Sequence, residues 1–367
     1  MKYKIKNLGK TITGTTPSTR NIDYYSSLDI MFVSPTDIKS QRYVKTTEKY
    51  ISKSAFNDFQ SKHLHCNDII VDCIGSDMGD VAIIAQECMT NQQINAITHI
   101  DKNKVLPLYL YYLLSTKKGY FHLIGSNGST MPIISKSLFD EIELSVHDIA
   151  FQQHIVDTIG SVDDLIEKTQ NKIEKLSIYT QSIFDNCENE NIEKFETVFK
   201  CFNGGTFKSK DYIDNSKYKL ITIKNIDDNG FNTDKTSCLD IDKIESKYLL
   251  KLGDILLTMT GNIGRVGIVD ENDCYLNQRV LKLTSQSKLY LFSYLTKYKI
   301  DIINLGKGTA QQNLSLQDLY KLNIHNTKEE IKQYAQYDFI FDLMLKYKLQ
   351  IRKLKQEKAL LLKKYFG

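Results

Sequence analysis

The most informative stretch of the sequence is DIIVDCIGSDMGDVAI, residues 68–83, because a second version of it, DILLTMTGNIGRVGIV, occupies residues 254–269. Each copy has an acidic residue, a short apolar run, a glycine-containing turn and a second apolar run. This pattern is typical of two buried strands joined by a tight loop. Its recurrence indicates that the strand pair occurs twice in one chain.

Three further motifs recur in the same order on either side of this stretch. They are GTTPS at 14–18 and GGTFKS at 204–209, NQQINAI at 91–97 and NQRVLKL at 277–283, and GSTMPIIS at 128–135 and GTAQQNLS at 308–315. Four matched blocks in one order predict an internal duplication. Two similar domains, related by a pseudo-twofold axis, suit a protein that reads a two-part target.

Residues 147–190 and 327–367 follow the two repeated bodies and have a different pattern. Their apolar or small residues recur at alternating steps of three and four, which is the heptad rule of a coiled coil. The first seam comprises Ile155, Ile159, Val162, Ile166, Thr169, Ile173, Leu176, Thr180 and Ile183, and the second Ile340, Met344, Tyr347, Ile351, Leu354, Lys358, Leu361 and Tyr365. One segment is acidic and the other basic. We expect two long helices, each of about 40 residues, packed antiparallel.

The predicted fold class is therefore α/β, with two repeated mixed α/β domains separated by a pair of long antiparallel coiled-coil helices. The predicted segments are 1–146 (first domain), 147–190 (central helix), 191–326 (second domain) and 327–367 (C-terminal helix). Strands are expected at 30–34, 69–73, 81–85, 142–146, 220–223, 255–258 and 266–269, and helices at 107–116 and 289–298.

Composition limits the class of protein. The 367 residues carry a formal net charge of +4, so overall charge is no argument for nucleic-acid binding. No apolar run is long enough for a membrane span or a signal peptide, and seven scattered cysteines indicate reduced thiols, so a cytoplasmic location is expected. A zinc site at His63, His65, Cys66 and Cys73 is an alternative, but their spacing fits no common zinc module.

The order of these motifs resembles the specificity subunit of type I restriction–modification systems. Residues 14–18 resemble the GGTPS signature of that family, with Thr15 in place of its second glycine, and residues 207–212 resemble its FKSKDY variant. Asn277-Gln278 resembles the domain interior, Gly308-Thr309 the domain end, and Gln152-Gln153 the entry to the long helix.

This resemblance implies a DNA reader without catalysis of its own. Each domain would bind one half of a bipartite asymmetric site, while the helices would set the spacer and dock two modification (methyltransferase) subunits, with restriction subunits as further partners. No cofactor is expected on this chain. S-adenosylmethionine would belong to the modification partner, and ATP and Mg to the restriction partner.

Catalytic motifs are missing from the sequence. None of the four prolines follows Asn or Asp, so the Asn/Asp-Pro-Pro-aromatic loop of an amino-methyltransferase is absent, and no GxxxxGK[ST] phosphate loop occurs. Asp68, Asp72, Asp77 and Asp80 could suggest a nuclease site. However, the second copy has Thr258, Ile263 and Arg265 in the matching stretch, which favours solvated loop carboxylates.

Polar loop residues are the candidate DNA contacts, since Arg and Lys suit phosphate and guanine, and Asn and Gln suit adenine. They are Thr16, Arg20, Arg42, Lys45, Gln92, Gln93, Asn127, Thr130, Lys208, Lys210, Asn262, Arg265, Arg279, Lys307, Gln311 and Gln312. The candidate partner-binding residues lie on the helices: Ile159, Ile166, Ile173, Phe184, Phe341, Tyr347, Ile351 and Leu360. Each polar position can equally be a solvated surface residue. Gly14 and Gly204 are expected to shape the backbone.

Two other functions remain open at this point. A self-contained DNA methyltransferase or nuclease would bind its cofactor or metal by itself. A two-domain scaffold that binds no nucleic acid would show no salt-dependent retention on DNA.

Overall fold

The computed structural model describes residues 1–367 except 40, 76–77, 127–131, 188–189, 215, 235, 241–244 and 307–312. The chain divides into two compact units. Unit 1 comprises Met1–Asp163 and Glu357–Gly367, and unit 2 comprises Asp164–Gln356. Two long helices, α6 (Ile149–Cys187) and α12 (Asp338–Phe366), contribute residues to both units.

Unit 1 combines ten strands with five shorter helices in its described part. The strands are β1 (Lys2–Lys4), β2 (Lys10–Thr13), β3 (Ile30–Val33), β4 (Tyr43–Val44), β5 (Tyr50–Ile51), β6 (Ile69–Asp72), β7 (Val81–Ile84), β8 (Cys88–Thr90), β9 (Ile94–Thr98) and β10 (Glu143–Ser145). The helices are α1 (Pro35–Ile38), α2 (Lys53–Asp58), α3 (Pro107–Ser115), α4 (Lys118–Gly125) and α5 (Lys136–Glu141).

The main sheet of unit 1 has the order β2-β9-β6-β7-β4, and both of its faces are buried. Because side chains alternate across a strand, Ile69 and Val71 of β6 pack on one side with α3 and the start of α6. Ile70 packs on the other side, against residues of β3 and β8. Strand β3 pairs in parallel with β8 and antiparallel with β5, and β1 pairs with β10.

Unit 2 contains the remaining twelve strands and five shorter helices of the described chain. The strands are β11 (Glu193–Lys194), β12 (Lys200–Asn203), β13 (Tyr212–Ile213), β14 (Lys219–Ile221), β15 (Ile226–Asp227), β16 (Gly230–Phe231), β17 (Cys238–Leu239), β18 (Ile255–Thr258), β19 (Val266–Ile268), β20 (Cys274–Leu276), β21 (Val280–Thr284) and β22 (Asn323–Ile324). The helices are α7 (Phe195–Val198), α8 (Lys288–Lys297), α9 (Lys299–Leu305), α10 (Leu316–Leu319) and α11 (Lys328–Tyr334).

The topology of unit 2 repeats that of unit 1. Sheet β12-β21-β18-β19 corresponds to β2-β9-β6-β7, the parallel pair β14·β20 corresponds to β3·β8, and the antiparallel pair β11·β22 corresponds to β1·β10. The duplication inferred from the motifs is confirmed. The units differ beside the sheet, where unit 1 adds β4 to the edge and unit 2 has the hairpin β15·β16.

The first residues of each long helix cap a shorter helix, α3 in unit 1 for α6 and α8 in unit 2 for α12. In unit 1, the Leu106 N–H at the start of α3 donates to Gln152 Oε1 of α6 at 2.9 Å. In unit 2, Asp338 at the start of α12 accepts from the Ser287 hydroxyl at 2.6 Å and the Leu289 N–H at 3.1 Å. These bonds satisfy backbone donors that a helix start leaves unpaired.

The two long helices run antiparallel within unit 1. His154 of α6 lies 3.1 Å from the Tyr365 hydroxyl of α12, and Asp163 pairs with Lys358 at 2.7 Å. As the residue number rises along α6, that of its partner on α12 falls. In unit 2, the Lys172 ammonium of α6 lies 5.3 Å from the ring centre of Tyr347 of α12.

The expected strands and shorter helices agree with the structure to within two residues at their ends, and α6 spans 39 residues. The expected length of the C-terminal helix is wrong. Residues 328–337 form α11 and a 3-10 turn, Ala335–Tyr337, so α12 has only 29 residues. The Thr327 capping box starts a separate short helix instead.

Candidate nucleic-acid interface

A close backbone approach forms the base of the candidate site in unit 1. After β2, residue Gly14 lies on the turn between β8 and β9, and its N–H donates to Ile94 O at 3.0 Å. A Cβ at Gly14 would lie 2.1 Å from Asn91 O, so only glycine fits. The next N–H, of Thr15, donates to Thr90 O at 2.9 Å. This contact holds the following residue, Thr16, above the turn.

Two polar side chains meet on the solvent side of this turn. The Thr16 hydroxyl donates to Gln92 Oε1 at 2.6 Å, and both residues are exposed. Beneath them, Asn91 Oδ1 accepts from the Gln93 N–H at 3.1 Å, and Asn91 Nδ2 donates to Gln93 Oε1 at 2.9 Å. The turn therefore presents Gln92 outward while it keeps Gln93 half-buried.

Unit 2 builds the same arrangement from the second copy of the motifs. A Cβ at Gly204 would lie 2.4 Å from Asn277 O, and the Gly205 N–H donates to Leu276 O at 2.8 Å. The Thr206 hydroxyl donates to Gln278 Oε1 at 2.8 Å. Asn277 Oδ1 accepts from the Arg279 N–H at 3.1 Å, as Asn91 does from Gln93.

The two sites differ in the side chain next to the glutamine. Gln93 is half-buried and bonded to Asn91, whereas Arg279 at the corresponding position is exposed. Arg279 makes no side-chain hydrogen bond or ion pair with any residue that the structure describes. Lys208 and Lys210, which follow Thr206 along the chain, are exposed as well. The second site therefore has an exposed cation where the first has a half-buried glutamine.

Among the candidates of unit 1, the structure brings together Thr16, Gln92 and Gln93, and it leaves Arg20 exposed on the following loop. Arg42 lies elsewhere. Its guanidinium lies 5.0 Å from the ring centre of Tyr43, and it also reaches the Tyr112 hydroxyl. Lys45 lies just beyond β4, where its carbonyl accepts from Gln86 Nε2 at 3.4 Å.

Arg42 belongs to a buried polar group of unit 1. Tyr112 donates to Asp163 Oδ2 at 2.8 Å, and Lys358 pairs with the other oxygen of the same carboxylate. Burial and the neighbouring Asp163 raise the pKa of Tyr112 far above its usual value, and Arg42 lowers it in part. These contacts indicate that Arg42 holds the domain to the long helices.

Arg265 has an intramolecular partner. It pairs with Asp228 of the β15–β16 turn at 2.7 Å, and Lys299 reaches the same carboxylate at 3.1 Å. Lys299 and Arg265 lower the pKa of Asp228. Asn262 is exposed in the loop between β18 and β19, where Gly261 and Gly264 have φ values of 69° and 81°. The candidates Asn127, Thr130, Lys307, Gln311 and Gln312 lie outside the described residues.

The candidate partner-binding residues are mostly buried. Ile159, Phe184 and Phe341 have no exposed surface, and Ile166 and Ile351 are 7% and 9% exposed. The prediction that Phe184 and Phe341 remain available to a partner is wrong, because both pack in the core of unit 2. The other members are Ile173 and Tyr347, which are half-buried, and Leu360, which is exposed.

Thr206 and Gln278 are not among the candidate residues predicted from the sequence. Alignment of the two copies places them opposite Thr16 and Gln92, so the repeat itself carried the signal. The motifs also missed the contact of Arg352 on α12 with Asp270 and Glu271, beyond β19. Beside Thr206 lies a cavity of about 340 Å³, lined by Thr206, Phe207, Asp211, Leu239, Asp240, Glu245 and Tyr248.

The described part of the chain gives little support to the zinc alternative at His63, His65, Cys66 and Cys73. It contains no group of three or more His, Cys, Asp or Glu side chains that could hold a metal. His63 stacks on Phe56 and bonds to its carbonyl, while Cys73 is buried and accepts from Asn95 Nδ2 at 3.2 Å. Burial raises the pKa of Cys73 to about 12, so this thiol stays protonated. None of the described helices is long and apolar enough to cross a bilayer.

Two repeated α/β modules, each with the same Thr–Gln pair above a glycine contact, define a protein built from two related domains. The chain belongs to the family of type I restriction modification DNA specificity domains, whose model matches residues 1–177 and again residues 189–358. The family thus includes both units, and the internal duplication is a tandem of two specificity domains.

Similar proteins agree with this assignment. The MjaIX specificity subunit of a type I restriction enzyme from Methanocaldococcus jannaschii is 25% identical over 99% of this chain and 92% of its own length. The MjaVIII specificity subunit of the same organism is 24% identical over 91% of this chain and 84% of its own. The crystal structure of a type I restriction-modification S subunit from M. genitalium covers 100% of this chain and 96% of that subunit, with a TM-score of 0.58 at 15% identity, which shows a shared fold.

Proposed function

We propose that this chain is the DNA-reading specificity subunit of a type I restriction–modification complex, in which each domain binds one half of a split, asymmetric target. The observation that carries this proposal is the twin site. Both units present an exposed Thr–Gln pair on the same scaffold, but the adjacent side chain is Gln93 in one and Arg279 in the other. Equal scaffolds with unequal side chains suit two different half-sites.

The long helices supply the second part of the proposal, which is a fixed spacer. Each helix is tied to both units: α6 caps α3 in unit 1 and packs through Phe184 in unit 2. Helix α12 contributes Tyr365 and Phe366 to the core of unit 1 and Phe341 to that of unit 2. A helix that contributes residues to both cores suits an element that sets the distance between half-sites.

The same complex would contain two modification subunits, docked on the helices, and restriction subunits as further partners. Phe339 and Leu360 of α12 are 64% and 69% exposed, which makes them the better candidates for that contact. Under this proposal, S-adenosylmethionine is bound by the modification subunits, and ATP and Mg by the restriction subunits. This chain then supplies target recognition and no catalytic group.

The test is to sequence adenine methylation in a host that expresses the chain together with its modification subunit. The expected result is a split motif with two unlike halves and a spacer of fixed length that is not read. One continuous or palindromic motif would contradict the proposal. The purified chain alone should transfer no methyl group and bind no S-adenosylmethionine, and methylation by the isolated chain would assign it to the enzymes instead.

A further inference from the structure

The Thr–Gln pair is the same in both domains, although the side chains beside it differ. Thr16 donates to Gln92 Oε1 at 2.6 Å, and Thr206 donates to Gln278 Oε1 at 2.8 Å. All four residues are exposed, and each pair lies above a backbone contact that only glycine permits. A hydrogen bond repeated in this way is part of the domain scaffold.

This hydrogen bond changes what the glutamine can recognise. A glutamine that reads adenine uses its oxygen as acceptor and its nitrogen as donor at the same time. In Gln92 and Gln278 the oxygen already accepts from threonine, and Nε2 bonds to no described residue of the chain. Each amide therefore offers two N–H donors on its outward side. The amide oxygen keeps one lone pair, so the amide has two free N–H donors against one acceptor site, and it favours a partner that only accepts, such as a phosphate oxygen.

We propose that Gln92 and Gln278 bind DNA phosphates, and that Thr16 and Thr206 are positioning residues that orient these amides. The inference rests on the proposed function and deepens it. A contact shared by two domains with different targets carries no base information, so it fixes the register of each domain on the duplex. Discrimination between bases falls to residues that differ between the copies, and Arg279, which replaces Gln93, is the exposed example.

The experiment uses the chain assembled with its modification subunit and four DNA duplexes. They carry the target found by methylation sequencing, the target with its first half-site altered, the target with its second half-site altered, and an unrelated sequence. We compare Gln278→Ala with Arg279→Ala. Their side chains are adjacent and exposed, so neither substitution disturbs the core.

Gln278→Ala should weaken binding by about tenfold on all four duplexes, because it removes one hydrogen bond to a charged group. The slope of log K against log salt should stay unchanged, since a neutral amide releases no counterion. Arg279→Ala should instead reduce the preference for the intact second half-site over the altered one. Gln92→Ala should repeat the uniform loss in the first domain.

The threonines provide a further readout. Thr206→Val keeps the shape of the side chain but removes its hydroxyl. It should weaken binding on all four duplexes, by less than Gln278→Ala does. Thr206→Ser should restore wild-type binding. A purely structural role would instead lower the unfolding temperature of Thr206→Val and leave the affinity of the folded fraction unchanged.

Two results would overturn the inference. One is a change in base preference at the second half-site on Gln278→Ala, and the other is no loss of affinity on any duplex. Failure of the proposed function is a separate outcome, because the wild-type complex would then bind all four duplexes equally before any variant is compared.

Discussion

Gly14 and Gly204 explain why the recurring motif contains glycine. Neither has a positive φ, so no left-handed turn requires it. The reason is distance, because an added Cβ would lie 2.1 Å from Asn91 O in one domain and 2.4 Å from Asn277 O in the other. Since backbone atoms occupy that position, a side chain could enter only if the loop and the turn moved apart.

We therefore expect Gly14→Ala to lower the free energy of unfolding by about 1–3 kcal/mol, the range for overpacked sites. Denaturant titration of the purified protein measures this. The matched control is Gly119→Ala, because Gly119 lies inside α4 with no atom within 4 Å of its added Cβ. That variant should be neutral or gain up to about 1 kcal/mol. Equal stabilities of the two variants would contradict the close-contact explanation.

The sequence indicates that some candidate residues lie on loops, but it does not indicate which side chains they contact. Thr16 and Gln92 are far apart in the chain, and their contact depends on the strand order of the sheet. In the sequence, Arg265 and Arg279 look alike, since each is an arginine in a polar loop segment of the second copy. The partner of Arg265, Asp228, however, lies in a hairpin without a counterpart among the described residues of the first copy. A feature present in only one copy gives no signal in a comparison of repeats.

At the scale of elements, Arg352 links helix α12 to the sheet region of unit 2. It donates to Asp270 Oδ1 at 3.1 Å through Nε and to Thr233 Oγ1 at 2.9 Å through Nη1, and it pairs with Glu271 at 2.5 Å. The Arg352 and Asp270 side chains are 22% and 11% exposed. Burial raises the pKa of Asp270, and Arg352 offsets part of that rise.

Arg352→Met should destabilise unit 2 by about 3 kcal/mol, because two largely buried carboxylates lose their shared cation. Arg352→Lys should fall between this variant and the wild type, since lysine keeps the charge but lacks the planar fork. Lys353→Met is the control, because Lys353 is exposed on the same helix. Denaturant unfolding gives all three values. A loss for Lys353→Met as large as for Arg352→Met would point to helix propensity rather than the ion-pair network.

The apolar periodicity predicts where the strands and helices lie better than it predicts which of their faces are buried. Strand β18 was placed to the residue, and the central helix emerged from its heptads, because both depend on local spacing. Phe184 and Phe341 lie beside the heptad seams, and the sequence predicts that they are available to a partner. Each helix in fact buries more than one stripe, since it packs on its sister helix and on the core of unit 2.

The long helices make the separation of the half-sites testable. One heptad inserted after Glu167 in α6 and one after Lys353 in α12 keeps the apolar seam in phase. The α6 site lies beyond the Asp163–Lys358 pair, and the α12 site lies beyond Arg352, so the ties of each unit are preserved. Each helix lengthens by about 10 Å, at ~1.5 Å per residue.

The preferred spacer should then grow by about 3 base pairs, at ~3.4 Å per base pair, with both half-site sequences unchanged. Methylation sequencing of a strain that carries the variant reads both quantities. As a control, a two-residue insertion at the same points rotates the following seam by more than half a turn, since a helix has about 3.6 residues per turn, and should abolish methylation. A folded heptad variant that kept the original spacer would show that the helices do not set the distance.

The burial of the central strands on both faces affects how the protein can evolve. Every residue of β6 and β18 is buried, so a large-to-small substitution there costs about 2–5 kcal/mol, a sizeable part of the total stability of a domain. Exposed positions such as Arg279 and Lys208 tolerate replacement with changes within about 0.5 kcal/mol. Under the proposed function, a lineage can therefore acquire new targets by small steps at the loop surface, and each intermediate protein still folds.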